Sequence, residues 1–124
     1  MDITLKITQE QVQGKVPVTV FHLHGWLDAQ SEESLLAAAK EAHDKGSQYL
    51  LLDLALVETL TSAGMRAMQK VYKIYTPEEE HFKVSHVKLC NAPPQVYHVL
   101  GITGFLQNIP NYESQENAVA AFGK

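Results

Sequence analysis

The pattern of apolar and polar positions predicts strands and helices in alternation, beginning with a hairpin. Apolar residues alternate with polar ones from Asp2 to Thr8, and the segment from Val16 to Leu27 is rich in valine and aromatic residues. Both patterns are typical of strands, and the turn predicted between them, Gln9 to Lys15, contains Gly14. Gly25 is expected to close the regular part of the second strand.

A helix and a buried strand follow the hairpin. The segment from Ser31 to Lys45 carries apolar residues at helical spacing, with glutamates in its first turn and Gly46 placed to end it. The segment from Tyr49 to Leu56 is apolar except for Asp53, as expected for a central strand that is covered on both faces. Because a strand, a helix and a strand in this order imply a right-handed crossover, the two strands should be parallel.

The second half of the chain repeats this order with shorter elements. A helix is predicted from Ser62 to Tyr75, where apolar residues again recur at helical spacing. The elements predicted after it are a surface loop at Pro77 to Glu80, a strand from His81 to Cys90, a short helix from Pro93 to Leu100 with Gly101 past its end, an edge strand beside Pro110, and a helix that Ser114 caps and that buries Ala118, Val119 and Phe122. The sequence thus predicts one α/β domain over residues 1–124 with a mixed β-sheet.

Composition and charge narrow the possible functions. The 124 residues include 10 basic and 14 acidic side chains, and the formal charge of −4 gives no electrostatic footprint for nucleic acid. With Cys90 as the one cysteine, neither an intrachain disulfide nor a zinc site of several thiolates can form, which fits a reducing compartment. No signal-peptide pattern opens the chain, and no apolar run approaches the ~20 residues of a membrane span. We therefore expect a cytoplasmic protein without direct nucleic-acid contact.

The turn from the central strand into the next helix is the strongest candidate for a site. In α/β proteins, sites usually lie at the carboxyl ends of strands. Projection of the helix at about 100° per residue gives two opposite arcs. One arc carries Ser62, Arg66, Gln69 and Lys73, and the other carries Met65, Met68, Val71, Tyr72 and Tyr75. Since the apolar arc must face the sheet, the Ser62 hydroxyl should face solvent beside a basic stripe.

Two interpretations of this hydroxyl remain open from the residues alone. A phosphate on Ser62 would meet unpaired backbone N–H groups and the positive end of the helix dipole, with Arg66 one turn away. The simpler interpretation is that Thr61 or Ser62 only caps the helix, which stabilises it by ~1 kcal/mol.

Three segments resemble motifs of one known family. The segment from Asp53 to Arg66, DLALVETLTSAGMR, resembles the signature of the STAS domains of bacterial anti-sigma factor antagonists. The turn from Gly25 to Asp28, GWLD, resembles that family's turn after the second strand. LCNAPPQV at 89–96, followed by VLGITG at 99–104, resembles its late strand, short helix and Leu-Thr-Gly segment. The resemblance covers most of the chain and implies a single STAS-like domain whose helices pack mainly on one face of a mixed sheet.

The resemblance also implies a function. Ser62 would be the phosphoacceptor of an anti-sigma factor antagonist, modified by an anti-sigma factor serine kinase and restored by a serine phosphatase. The unphosphorylated protein would sequester the kinase and release the sigma factor. The residues implied in partner binding are Gly25, Asp28, Thr61, Ser62, Ala63, Gly64, Arg66 and Lys73. The best-known members have aspartate directly before the serine; here Thr61 stands at that position and becomes a second candidate acceptor.

Other functions are possible for the same sequence. The domain could be a non-phosphorylated STAS scaffold in a sensing or transport complex, or a small enzyme that uses Asp28 or Asp53. Asp28 more simply caps the turn before the first helix, and Asp53 lacks a nucleophile and base that would complete a catalytic set. A metal could bind His22 and His24 with His86, although histidines on strands more often pack or face solvent. We expect no catalysis, cofactor or metal, and an inert buried thiol at Cys90.

Overall fold

A computed structural model describes residues 5–76, 86–107 and 109–123. The elements in chain order are β1 (Lys6–Gln13), β2 (Pro17–Leu27), α1 (Glu32–Asp44), β3 (Leu50–Leu60), α2 (Ser62–Tyr75), β4 (Val87–Cys90), α3 (Pro94–Ile102), a 3-10 turn (Phe105–Gln107), β5 (Asn111–Tyr112) and α4 (Gln115–Ala121). The predicted α/β class is confirmed, as are the bounds of α2. The predicted loop at Pro77 to Glu80 and the first part of the strand from His81 lie outside the described residues.

The five strands form one mixed sheet in the order β1-β2-β3-β4-β5. β1 is antiparallel to β2, which confirms the hairpin, and the other neighbours are parallel, as predicted for the strands on either side of α1. Since β2, β3 and β4 point the same way, their carboxyl ends meet at one edge of the sheet. The predicted site lies at this edge.

The helices cover the two faces of the sheet unequally, as predicted. Helices α1, α2 and α3 pack on one face, where Leu50, Leu52 and Leu54 of β3 point. The short α4 packs on the other face, and Phe122, the residue directly after α4, covers Leu51. Leu51 and Leu54 are both 0% exposed, so the apolar run of β3 is buried on both faces as its sequence requires.

The first hairpin differs from the prediction. β1 does not end at Thr8 but continues to Gln13, which pairs with Pro17, so the predicted turn from Gln9 is much shorter. β1 is an edge strand held by backbone hydrogen bonds to β2, and its side chains from Gln9 to Gln11 stay exposed. Such a strand needs no apolar alternation, and the pattern therefore ends before the strand does.

Two glycines also have roles other than those predicted. β2 does not end at Gly25 but continues to Leu27. The pairing of β2 with β3 shifts register between Gly25, at φ 123°, and Trp26, and the two strands pair again after this shift. Gly101 does not lie past the end of α3 but within its last turn. The left-handed residue that follows α3 is Gly104, at φ 74°.

β3 also runs four residues past the predicted Leu56, to Leu60.

Candidate functional site

The end of β2 and the start of α2 are joined at the carboxyl edge of the sheet. Leu27 pairs in register with Leu60, and the Thr61 backbone N–H donates a hydrogen bond to the Leu27 carbonyl at 3.0 Å. The structure thereby brings the segment Gly25–Asp28 against the segment Thr61–Arg66. These two segments carry all the predicted partner-binding residues except Lys73.

Gly64 allows this close approach. The residue is buried in the first turn of α2, and a Cβ built on it would lie 2.1 Å from the Leu27 carbonyl oxygen and 2.6 Å from the carbonyl carbon. Real Cβ atoms do not come this close to backbone atoms. Any residue other than glycine at position 64 would therefore push the start of α2 away from the end of β2.

Gly25 and Asp28 shape the loop on the other side of this junction. Gly25 is buried at the register shift in β2. The Asp28 carboxylate accepts hydrogen bonds from the backbone N–H groups of Gln30 at 3.0 Å and Ser31 at 3.1 Å, which confirms its predicted role in the turn. The Ser31 hydroxyl in turn accepts from the Asp28 N–H at 2.9 Å. Both predicted residues therefore hold the backbone that borders α2.

The two neighbouring hydroxyls, Thr61 and Ser62, have different environments. The Thr61 hydroxyl donates to the Leu27 carbonyl and accepts from the Gly64 N–H, each at 3.3 Å, so Thr61 caps α2 and ties it to β2. Ser62, the first residue of α2, is exposed, and its hydroxyl makes no hydrogen bond within the part of the chain that the structure describes. Of the two candidate acceptors, Ser62 is therefore the accessible one.

Removing the Thr61 hydroxyl should destabilise the fold more than removing that of Ser62. Thr61→Val keeps the shape but loses the cap, and the free energy of unfolding should fall by about 1–2 kcal/mol. Ser62→Ala removes an unbonded surface hydroxyl and should change stability by no more than about 0.5 kcal/mol. Urea denaturation of both variants measures the difference. Equal losses would contradict the assignment of the cap to Thr61.

The outer arc of α2 forms the basic surface beside Ser62. Arg66, Gln69 and Lys73 are all exposed, as predicted. Arg66 lies one turn from Ser62, whereas Lys73 lies eleven residues along α2, about 16 Å from Ser62. Only Arg66 is thus placed to pair with a group on Ser62, and Lys73 extends the same face.

An ion pair between helices borders this arc. The Lys70 ammonium lies 2.8 Å from a Glu32 carboxylate oxygen, joining α2 to the first turn of α1. The hydrogen bond from Lys70, helped by the charge of Arg66, holds the pKa of Glu32 below its usual value. Lys70 is therefore engaged with α1, whereas Arg66 forms no ion pair within the described part of the chain and acts on Glu32 only through its charge.

The histidines considered for a metal do not converge. His22 pairs with Asp53 within β3, whereas His86 stacks on Tyr49, which directly precedes β3. No group of three or more His, Cys, Asp or Glu side chains within the described ranges could hold a metal ion. Cys90 is buried, and burial raises the pKa of its thiol to about 12, with a contribution from the Asp53 charge, so the thiol is inert as predicted.

One polar cluster was missed by the sequence interpretation. The Glu10 carboxylate lies 2.8 Å from Nε2 of His22, whose Nδ1 lies 2.6 Å from Asp53. From the sequence, Glu10 falls in the predicted turn, which conceals this contact. The contact becomes visible only in the structure, where β1 continues to Gln13 and pairs with β2.

Comparisons with known proteins match most of the chain. A family model described as STAS domain matches residues 9–118. BtrV of Bordetella bronchiseptica, named as a candidate anti-sigma factor antagonist, is 30% identical over 118 residues, which is 95% of each chain. A crystal structure of an anti-sigma factor antagonist from Mycobacterium paratuberculosis aligns with a TM-score of 0.77 at 22% identity over 97% of this chain and 95% of that one. The antagonist SpoIIAA in its unphosphorylated form aligns with a TM-score of 0.70 at 18% identity over 92% and 93% of the two chains.

No helix among the described residues is both long and apolar enough to cross a membrane.

Proposed function

The chain belongs to the STAS domain family, and from this premise we propose that it is an anti-sigma factor antagonist switched by phosphorylation of Ser62. In this proposal the unphosphorylated protein binds an anti-sigma factor serine kinase in the cytoplasm and thereby releases a sigma factor. The observation that carries the proposal is the exposed, unbonded hydroxyl of Ser62 at the start of α2, beside a Thr61 hydroxyl that is already engaged.

The docking surface would be the junction of β2 and α2. Ala29 and Gln30, in the loop that follows β2, are exposed, and so is Arg66, one helical turn after Ser62. The buried Gly25 and Gly64 act by holding these backbones together. Such a surface presents to a partner a small hydroxyl, the N-terminal end of α2 and the exposed guanidinium of Arg66. Among the described residues of this surface, no nucleophile is paired with a base, so we propose a binding role and not catalysis.

Phosphorylation would end binding through charge rather than refolding. A phosphate adds about −1.5 to −2 charges at neutral pH, and here it would lie at the positive end of the α2 dipole near Arg66. The free protein would tolerate the added charge well. In the centre of an interface, the same charge must be desolvated and can face like charges on the kinase, so the complex would dissociate. A serine phosphatase would then restore the binding form.

Displacement of a sigma factor tests this function. The unphosphorylated protein should release the sigma factor from its complex with the anti-sigma factor kinase in proportion to the amount added. Size-exclusion chromatography of the mixture would resolve the free sigma factor and the new complex. If the protein bound the kinase and the sigma factor stayed bound as well, a scaffold function would replace the antagonist function.

A further inference from the structure

One imidazole in the sheet lies between two carboxylates from two different strands. Nδ1 of His22, on β2, lies 2.6 Å from a carboxylate oxygen of Asp53, on β3. Nε2 of the same ring lies 2.8 Å from a carboxylate oxygen of Glu10, on β1. The three side chains therefore form a polar link across three neighbouring strands, from the edge strand to the centre of the sheet.

The chemistry of the ring identifies its protonation state in this arrangement. A neutral imidazole has one N–H, whereas two hydrogen bonds to carboxylates require a donor at each nitrogen. The other oxygen of Asp53 accepts hydrogen bonds from the Ala55 N–H at 3.1 Å and from the Asn91 side-chain amide at 3.2 Å, so Asp53 acts as an acceptor throughout. The link is complete only when His22 is an imidazolium.

We propose that His22 is a proton-controlled clamp that fastens the edge strand β1 to the centre of the sheet. β1 has one strand neighbour, β2, and most of its side chains are exposed. Besides the backbone ladder, its side-chain contacts include the partly buried Ile7 and Val12 and the hydrogen bond from Thr19 to Gln11, so the link to His22 adds to a small set. A neutral ring keeps its single N–H for one carboxylate. Asp53, whose side chain is 13% exposed against 49% for Glu10, retains that hydrogen bond, and Glu10 is released.

Glu10 and Asp53 are the two charged groups that raise the pKa of the His22 ring. The other titratable groups nearby have different surroundings. Lys6 on β1 lies opposite His24, two residues further along β2, and both side chains are exposed. On β4, the Lys88 ammonium lies over the rings of Phe122 and Tyr112, and the Cys90 thiol stays protonated because burial raises its pKa. From α4, Glu116 lies near Val12 and Gly14, at the far end of β1.

The pH dependence follows from the direction of the pKa shift. The hydrogen bond to Glu10 raises the pKa of His22 above 6.5; Asp53 adds to the increase, and partial burial opposes it. Because the folded pKa exceeds the unfolded one, the clamp stabilises the protein fully below pH 6.5. This stabilisation is lost as the pH rises through the folded value.

An NMR titration combined with hydrogen exchange tests the clamp. The experiment compares the wild type with Glu10→Gln, which keeps the size of the side chain but removes its charge, and with Glu58→Gln as a control at an exposed glutamate of β3. The pKa of His22 should exceed 6.5 in the wild type and in Glu58→Gln, and it should be lower in Glu10→Gln. As the pH rises from about 6 to about 9, the protection factors of β1 amides should fall relative to those of α1 amides in the wild type and in Glu58→Gln. In Glu10→Gln, this pH-dependent fall should be absent.

The clamp is overturned if the pKa of His22 is the same in Glu10→Gln and Glu58→Gln. It is equally overturned if β1 protection in the wild type and in Glu10→Gln shows the same pH dependence. Neither outcome depends on Ser62 or on any partner, so the clamp and the proposed function stand or fall separately.

Discussion

Gly64→Ala should lower the free energy of unfolding by about 2–3 kcal/mol, although alanine is the better helix former. The added Cβ would lie 2.1 Å from the Leu27 carbonyl oxygen, which belongs to the backbone of β2 and cannot rotate away as a side chain could. Either α2 must shift from the end of β2 or the Thr61 cap must distort. Urea denaturation of the purified variant measures the loss.

Gly101→Ala provides the matched control for this prediction. Gly101 also lies in a helix, and a Cβ built on it meets nothing within 4 Å. Alanine there should stabilise the protein by about 0.5–1 kcal/mol, since it lowers the entropy of the unfolded chain and creates no clash. A gain of stability in both variants would contradict the close packing of Gly64 against the Leu27 carbonyl.

Ser62→Asp should weaken binding to the cognate anti-sigma factor kinase at least tenfold, which corresponds to about 1.4 kcal/mol. The aspartate introduces a negative charge at the proposed centre of the interface, where desolvation and repulsion act on it directly. It carries one charge where phosphoserine carries nearly two, so the effect should be smaller than that of phosphorylation. Ser62→Ala should bind about as tightly as the wild type.

Calorimetry with a control variant separates this effect from general charge repulsion. Gln69→Glu adds a negative charge to the same exposed arc of α2, about two turns from Ser62, and should change the affinity much less. If Ser62 is merely the first residue of a helix that Thr61 caps, the expectation differs. An acid suits the start of a helix, so Ser62→Asp would be neutral or stabilising and binding would be unchanged. Equal affinities of Ser62→Asp and Ser62→Ala would support a purely structural role of Ser62 and exclude the switch.

The elements that the sequence predicted well are those whose periodicity is enforced by burial. α2 begins at Ser62 and ends at Tyr75 as predicted, because its apolar arc must face the sheet. The apolar run of β3 likewise located the central strand, since both faces of that strand are covered. The same logic placed Ser62 on the exposed side of the first turn.

The features that the sequence did not predict depend on contacts between distant segments. The second half of β1 is polar because it lies at an edge, so its pairing left no periodic signal, and the contact from Glu10 to His22 could not be foreseen. The presence of Gly64 was visible, but its reason, the Leu27 carbonyl, appears only when β2 meets α2. The different environments of Thr61 and Ser62 were hidden for the same reason.

Intact-mass measurement after incubation with the candidate kinase and ATP tests most directly whether Ser62 is the switch. Wild-type protein and Thr61→Val should each gain one phosphate, and Ser62→Ala should gain none. Binding of each variant to the kinase, measured in the same buffer, shows that any failure to be modified is not a failure to bind. A phosphate on Ser62→Ala, or an unmodified wild type that nevertheless binds the active kinase, would contradict the account.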